Sequence, residues 1–335
     1  MRRRWLRPVA GTTSAQPQRN TGNATFRTES PEFRRADKKR PWPTGDRARI
    51  SRRIRILRAM IPARLARALQ AHGSLLVAYS GGVDSAVLAV AARQVLGPDR
   101  MLAVLGVSPS LAAAQREQAV AIARDRAIPL LEIATDELAD TGYVANAPDR
   151  CYFCKRELWR RLAEVAGDRG FAAIADGTNA DDLADHRPGR RAGLERGIVS
   201  PLADAGCTKA EVRAVARDLG LPIWDAPAAP CLASRVLYGL AVTPDRLRQV
   251  EHAEAVLREV GVCGDLRVRH RGAEARIEVA VEHIPVVRVH GDRIAGRLRA
   301  LGFERVTVDL AGYRRGNLLR GAAGAVEVLG SAGVP

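Results

Sequence analysis

Leu75-Leu76-Val77-Ala78-Tyr79-Ser80-Gly81-Gly82-Val83-Asp84-Ser85 is an apolar run ending in a short polar turn, and the apolar helical pattern Ala86 to Leu96 follows it. Strand, glycine turn and helix in that order make a phosphate cradle. Glycines let the backbone approach an anion closely, and the free amides at a helix start point at it. Ser80 and Ser85 add hydroxyl donors. Asp84 repels phosphate, so it is expected to orient the loop or to hold a divalent cation against the phosphates. The turn has neither the spacing of a Walker A loop nor that of a dinucleotide fingerprint.

Outward from this turn the pattern alternates. An Arg/Ala/Leu-rich amphipathic helix is expected from about Ile50 to Gln70. After the turn, Met101 to Val107 reads as a buried strand, Leu111 to Asp125 as a helix and Pro129 to Ala134 as a strand. A helix opening at Cys151 and running to about Ala166, the strand Phe171 to Ala175 and a helix from Thr208 to Leu219 continue the series. This is the signature of an α/β fold with a doubly wound, Rossmann-like parallel sheet. In such sheets ligands sit at the carboxyl ends of the strands, which brings Ser108, Ser110 and the second glycine turn Asp176-Gly177-Thr178-Asn179-Ala180-Asp181-Asp182 to the same place.

A composition shift near Tyr238 marks an expected boundary. Beyond it come a helix with Thr243 as cap and Pro244 in its first turn, strands Leu266–His270 and Ala275–Val279, a helix over about Ile284–Leu301 and a strand Arg305–Leu310. These make a smaller α+β domain. The organisation expected is a disordered basic extension over 1–50, the sheet domain over 51–238, the small domain over 239–318 and a flexible tail over 319–335.

The chain has 335 residues and a formal charge of +16, with 47% hydrophobic residues. Residues 1–50 hold 13 Lys+Arg against 4 Asp+Glu, so the other 285 residues carry only +7. That segment is rich in Pro, Thr, Ser, Gly and Asn and lacks aromatic interleaving, so nucleic-acid binding is not expected of it. No apolar run approaches the roughly 18 residues that a membrane span needs. Five cysteines without a secretory core point to a reducing cytoplasm and to thiol or metal chemistry. Cys151 and Cys154 form one Cys-x-x-Cys pair, which by itself fits a redox pair, half a zinc site or two core residues. Cys231 lies in a loop stiffened by Pro222, Pro227 and Pro230, four residues before Arg235, a cation able to favour thiolate. Cys207 and Cys263 are read as bystanders. Arg267 and Arg269 alternate on one strand face and can grip one phosphate.

The turn Ser80-Gly81-Gly82-Val83-Asp84-Ser85 resembles the PP-loop of ATP pyrophosphatases, which split ATP between its α and β phosphates and adenylate a substrate. The ordered set adds Arg150-Cys151-Tyr152-Phe153-Cys154-Lys155, Asp176 to Asp182, Arg187-Pro188-Gly189, Cys231-Leu232-Ala233-Ser234-Arg235 and Ala275-Arg276-Ile277-Glu278. With these the chain, from Ser74 to about Leu318, resembles the LarE family. Those enzymes are ATP-dependent sulfur transferases that build the nickel-pincer nucleotide cofactor of lactate racemase.

The resemblance implies a nucleotide substrate, pyridinium-3,5-dicarboxylate mononucleotide, adenylated on a carboxylate and then converted to a thiocarboxylate. It implies ATP on Ser80, Gly81, Gly82, Asp84, Ser85, Ser108, Gly177 and Thr178, with Mg2+ on Asp84, Asp176 and Asp181. Cys231 would be the sulfur centre. With Cys151 and Cys154 it would hold a [4Fe-4S] cluster with one iron left open. Arg235, Arg267 and Arg269 would meet the substrate phosphate, and Tyr152 and Glu278 would touch the substrate. A homo-oligomer and transient contact with other proteins of the nickel-pincer pathway are also implied. Two departures stand out: His186 precedes Arg187 where an aromatic is expected, and Leu240 replaces a small polar residue. The rival readings are a PP-loop tRNA thiolation enzyme with a three-cysteine cluster, an amide-forming synthetase and a non-catalytic nucleotide-binding protein.

Overall fold

The computed structural model describes residues 60–184, 188–314 and 325–330. The basic extension, the start of the leading helix, His186, Arg187 and most of the tail lie outside them. The chain runs α1 (Ala63–Gln70), β1 (Leu75–Ala78), α2 (Val83–Leu96), β2 (Met101–Val107), α3 (Ala113–Asp125), β3 (Leu130–Ala134), α4 (Thr141–Val144), α5 (Arg150–Arg169), β4 (Ala173–Ala175), α6 (Pro188–Leu194), α7 (Pro201–Asp204) and α8 (Lys209–Asp218). It continues α9 (Pro244–Glu259), β5 (Leu266–Arg271), β6 (Glu274–Val279), α10 (Ile284–Val289), α11 (Gly291–Ala300), β7 (Arg305–Asp309) and β8 (Val326–Val328).

The first sheet is parallel throughout, in the order β3-β2-β1-β4. Its strands alternate between two cores, as a period of two requires. Leu75, Val77, Met101, Ala103 and Leu105 join the side packed by α1, α2, α3 and α8. Leu76, Leu102 and Val104 face Trp159, Leu162 and Ala166 of α5 on the other side. With helices on both faces, the sheet is doubly wound, as the alternation of elements predicts. The order reverses between β1 and β4, so the loops after these strands open side by side at the carboxyl edge, where such sheets bind ligands.

The second sheet has the order β5-β6-β7-β8. β5 and β6 form an antiparallel hairpin, β7 lies parallel to β6, and β8 closes antiparallel on β7. α9, α10 and α11 cover its apolar side. Thr243 caps α9 by accepting from the Arg246 amide at 3.2 Å, with Pro244 in the first turn. A parallel bridge between Val236 and His270 ties the segment after Cys231 to β5.

Two expectations do not hold. The single helix expected over 284–301 is two helices, broken at His290 (φ −99°, ψ 15°). Gly291, a poor helix former, follows the break and is buried against Leu329. The expected flexible tail from 319 contains β8, and Leu329 beyond it is buried in the second core, its amide bonded to the Val306 carbonyl at 2.9 Å.

Candidate active site

The turn after β1 holds its shape through its own hydroxyls. Ser85 Oγ donates to the Gly82 carbonyl at 3.0 Å, lies 3.2 Å from Ser80 Oγ and accepts from the Ser80 amide at 3.2 Å. Gly81 has φ +74°, and a Cβ there would lie 2.5 Å from Ala119 Cβ of α3. Only glycine meets both demands. No side chain caps α2, so its first amides stay available for an anion.

The turn after β4 packs against this cradle. A Cβ on Gly177 would stand 3.0 Å from the Ser85 amide nitrogen and 3.2 Å from the Asp84 carbonyl carbon. Asp176 shapes its own turn by accepting from the Thr178 amide (3.0 Å), Thr178 Oγ1 (2.8 Å) and Ser200 Oγ (2.8 Å). Asp84 accepts from Asn179 Nδ2 at 3.2 Å and pairs with Lys209 Nζ at 2.5 Å, while the Lys209 amide donates to Asp181 at 2.8 Å. The three carboxylates expected to hold Mg2+ therefore all carry protein donors. A Mg2+ ion arriving on nucleotide phosphates needs only one or two carboxylates, and Asp84 in the cradle or Asp181, linked to it through Lys209, could supply them.

Sequence reasoning missed Asn179 and Lys209 as partners of Asp84. Lys209 is one of only four lysines in an arginine-dominated chain, a signal that could have found it. It opens α8 directly after a capping box between Thr208 and Glu211, which fixes where its side chain emerges.

The turn after β2 connects the cradle's sheet to the cysteines. Ser108 Oγ donates to the buried Glu137 at 2.5 Å, and Ser110 Oγ lies 2.6 Å from the buried Tyr143 hydroxyl. The Ser110 carbonyl accepts from the Leu232 amide at 2.9 Å. From α5, the buried Arg150 donates to the Ala233 carbonyl at 2.9 Å and bonds Asn146, whose amide in turn donates to the Leu237 and Leu240 carbonyls at 2.8 Å each. The Cys231 loop is thus pinned both by the nucleotide-side turn and by the helix bearing Cys151 and Cys154.

Cys154 and Cys231 pack on the same apolar cluster, around Tyr143 and Leu232, and Cys151 is exposed. Burial pushes the Cys154 thiol up to about 12, and the nearby Cys231, Glu137 and Cys151 add to this. The Cys231 thiol is also raised, mainly by burial and further by Cys151, while Arg150 and, less strongly, Arg235 pull it down. Arg235 thus favours the thiolate in direction, as its placement suggested, but burial outweighs both cations. Arg235 also holds the loop backbone, donating to the carbonyls of Pro230 (2.5 Å) and Cys231 (3.0 Å) and pairing with the buried Glu254 at 2.9 Å.

Cys151 adds to the upward shift of both Cys154 and Cys231, and Cys231 adds to that of Cys154. Among the described residues, no three His, Cys, Asp or Glu side chains are set to hold a metal ion. Three ligands on one ion stand closer together than the thiolates of a [4Fe-4S] cluster, each of which binds a different iron. Cys154 and Cys231, raised by burial, are the kind of thiol that metal binding deprotonates. In donor chemistry the set fits a cluster.

Arg235, Arg267 and Arg269 come together, since the other two depress the Arg267 guanidinium, though burial depresses it more. Arg269 pairs with Glu278 at 2.8 Å, and Arg267 donates to the Ala228 carbonyl at 3.2 Å beneath the ring of Tyr313. Ion pairs within this group join Arg235 to Glu254 and Arg269 to Glu278. Tyr152 has partners on and just after α6. The Arg191 guanidinium lies 4.2 Å from its ring centre, and its hydroxyl donates to Glu195 at 2.7 Å.

No family model matches the chain. It is 36% identical over 256 residues to the pyridinium-3,5-bisthiocarboxylic acid mononucleotide synthase of Lactiplantibacillus plantarum, spanning 76% of this chain and 92% of that protein. It is 43% identical over 266 residues to the uncharacterized protein slr1717 of Synechocystis, covering 78% and 98%. A glutamine-hydrolyzing GMP synthase of Corynebacterium glutamicum is 29% identical over 222 residues, covering 56% of this chain and 40% of that enzyme. Among the described residues no helix is long and apolar enough to cross a membrane. The glycine turn of the ATP-using enzymes and the likeness over nearly the whole of the Lactiplantibacillus protein show that this chain belongs to the LarE family of PP-loop, ATP-dependent sulfur transferases.

Proposed function

We propose that this protein uses ATP to adenylate a carboxylate of pyridinium-3,5-dicarboxylate mononucleotide and replaces AMP by sulfur, supplying the nickel-pincer cofactor. The observation that carries this reading is the junction at Ser110. Its carbonyl holds the Cys231 loop, and its turn ends β2 beside the nucleotide cradle. Activation and sulfur delivery then share one site.

In the first step a substrate carboxylate oxygen attacks the α-phosphorus and pyrophosphate leaves. The α2 amides and Lys209 receive its negative charge, and Asp84 or Asp181 would hold a Mg2+ ion that would offset the rest. A carboxylate is a poor electrophile, and adenylation gives it a leaving group that sulfur can displace. The Arg235, Arg267 and Arg269 group, partly neutralised by Glu254 and Glu278, retains positive charge for the substrate phosphate. Cys151, Cys154 and Cys231 would hold the [4Fe-4S] cluster, which when bound supplies transferable sulfide for repeated turnover. Cys231 is our candidate sulfur centre because its loop is tied both to the turn after β2 and to α5.

Pyrophosphate release that depends on the pyridinium nucleotide, with a thiocarboxylate product seen by mass spectrometry, tests the proposal. Activity only with added tRNA would replace it by the tRNA thiolation reading. ATP binding without pyrophosphate release would leave a non-catalytic binder. Iron and acid-labile sulfide on protein purified without oxygen test the cluster, with about four irons per chain expected. No iron after anaerobic reconstitution removes the cluster and leaves Cys231 to give up its own sulfur once.

A further inference from the structure

Cys263 stands outside the site described above, in the short loop between α9 and β5. Gly261 (φ +95°) and Gly264 (φ +69°) shape that loop, and the buried Val262 anchors it by donating its amide hydrogen to the Leu257 carbonyl at 3.1 Å. The exposed Cys263 Sγ lies 3.2 Å from Nε2 of His283, which ends the turn leading into α10. The other ring nitrogen, Nδ1, is buried and has no hydrogen-bond partner among the described residues.

That orphan nitrogen decides the tautomer. If the thiol donated to Nε2, the proton would sit on Nδ1 as a buried N–H with no acceptor, a rare and costly arrangement. A bare Nδ1 lone pair costs less. Nε2 then carries the hydrogen and donates it to sulfur, which leaves the sulfur as the acceptor of that contact with a lone pair toward solvent. Burial raises the thiols of Cys154, Cys207 and Cys231. Cys151 is exposed like Cys263, but the described structure gives it no such ring partner.

We propose that Cys263 is a reactive thiol that exchanges with low-molecular-weight disulfides, its exposed sulfur held in place by the His283 N–H. The Cys263 thiolate attacks one sulfur of R–S–S–R, the new Cys263–S–S–R bond forms as the old S–S bond breaks, and R–S⁻ leaves. The disulfide is the oxidant, and the Cys263 proton goes to solvent. This site is independent of the sulfur-transfer reading.

The test is a stopped-flow reaction of the full chain with dithiobis-nitrobenzoate, whose released thiolate is yellow. One thiol per chain is expected to react about tenfold faster than any other. The fast phase should vanish in Cys263→Ser, slow about tenfold in His283→Phe, and recover in part in His283→Gln, which restores an N–H donor. Persistence of the fast phase in Cys263→Ser, or an unchanged rate in His283→Phe, overturns the proposal. Peptide mapping of the wild-type protein after sub-stoichiometric labelling checks it without a variant. Label on Cys263 supports it, and label on Cys151 overturns it.

Discussion

Lys209 Nζ lies 2.5 Å from Asp84 Oδ2, joining the start of α8 to the phosphate cradle across 125 residues of sequence. Both side chains keep solvent access, at 37% and 24% exposure. A pair this open contributes on the order of 1 kcal/mol or less to folding. Its value lies in holding a cation where pyrophosphate charge will develop. Lys209→Ala is therefore expected to lower kcat/KM for pyrophosphate release by about 100-fold while leaving the melting temperature within a few degrees. Lys209→Arg should retain an intermediate rate. Release at the wild-type rate in Lys209→Ala would remove Lys209 from the site.

Gly81 and Gly73 both have φ near +70°, but only Gly81 is crowded. A Cβ at Gly73 would meet nothing within 4 Å, whereas one at Gly81 would strike Ala119 at 2.5 Å. Gly73→Ala is expected to cost about 1 kcal/mol for the left-handed backbone alone. Gly81→Ala adds about 1–3 kcal/mol of overpacking and displaces the loop amides. Urea unfolding and ATP binding measured on the two variants should show a modest stability loss in the first and lost binding in the second. Equal losses would mean that the close approach to α3 does not matter.

The contrast between Gly81 and Lys209 shows what the sequence made legible. Strand, glycine turn and helix around residues 75–96 follow from local pattern, and so does the alternation that makes the first sheet doubly wound. The cap at Thr243 and the β5–β6 hairpin are local as well. Partners distant in sequence were not legible. Nothing near Arg235 announces that its charge goes to Glu254, and nothing near Asp84 announces Asn179 or Lys209. The burial that raises the Cys231 thiol comes from packing around Tyr143, which residue spacing does not encode. Val326–Val328 becomes a strand because the free edge of β7 accepts it, although its composition suggests a frayed end.

The 2.6 Å contact between Ser110 and Tyr143 separates the two half-reactions in a testable way. Tyr143→Phe removes the hydroxyl and leaves a buried Ser110 hydroxyl without that partner, a loss of about 1–3 kcal/mol. The strain falls on the turn that holds the Cys231 loop, while the cradle after β1 is untouched. Pyrophosphate release is expected to stay within about threefold of wild type, and thiocarboxylate formation to fall about tenfold. Equal loss of both would show that Tyr143 supports the fold as a whole.

His270 makes the second sheet sensitive to acid. It is buried, Nε2 lies 2.9 Å from Gln249 Oε1, and Nδ1 accepts from the Gly272 amide at 3.3 Å. With Gly272 donating to Nδ1, the hydrogen sits on Nε2 and is given to Gln249, so the fold is built around the neutral ring. Burial, and then the charge of Arg246, lower its pKa to about 4 from the ordinary 6.5. The unfolded chain therefore binds a proton between pH 6.5 and 4 that the folded chain refuses. The stabilisation is fully present above pH 6.5 and is lost as pH falls through that interval toward 4. Urea midpoints measured from pH 7.5 to 4 should fall for the wild-type protein, and the fall should be shallower in His270→Gln, which cannot take up the proton. Parallel curves for the two proteins would show that the acid sensitivity arises elsewhere.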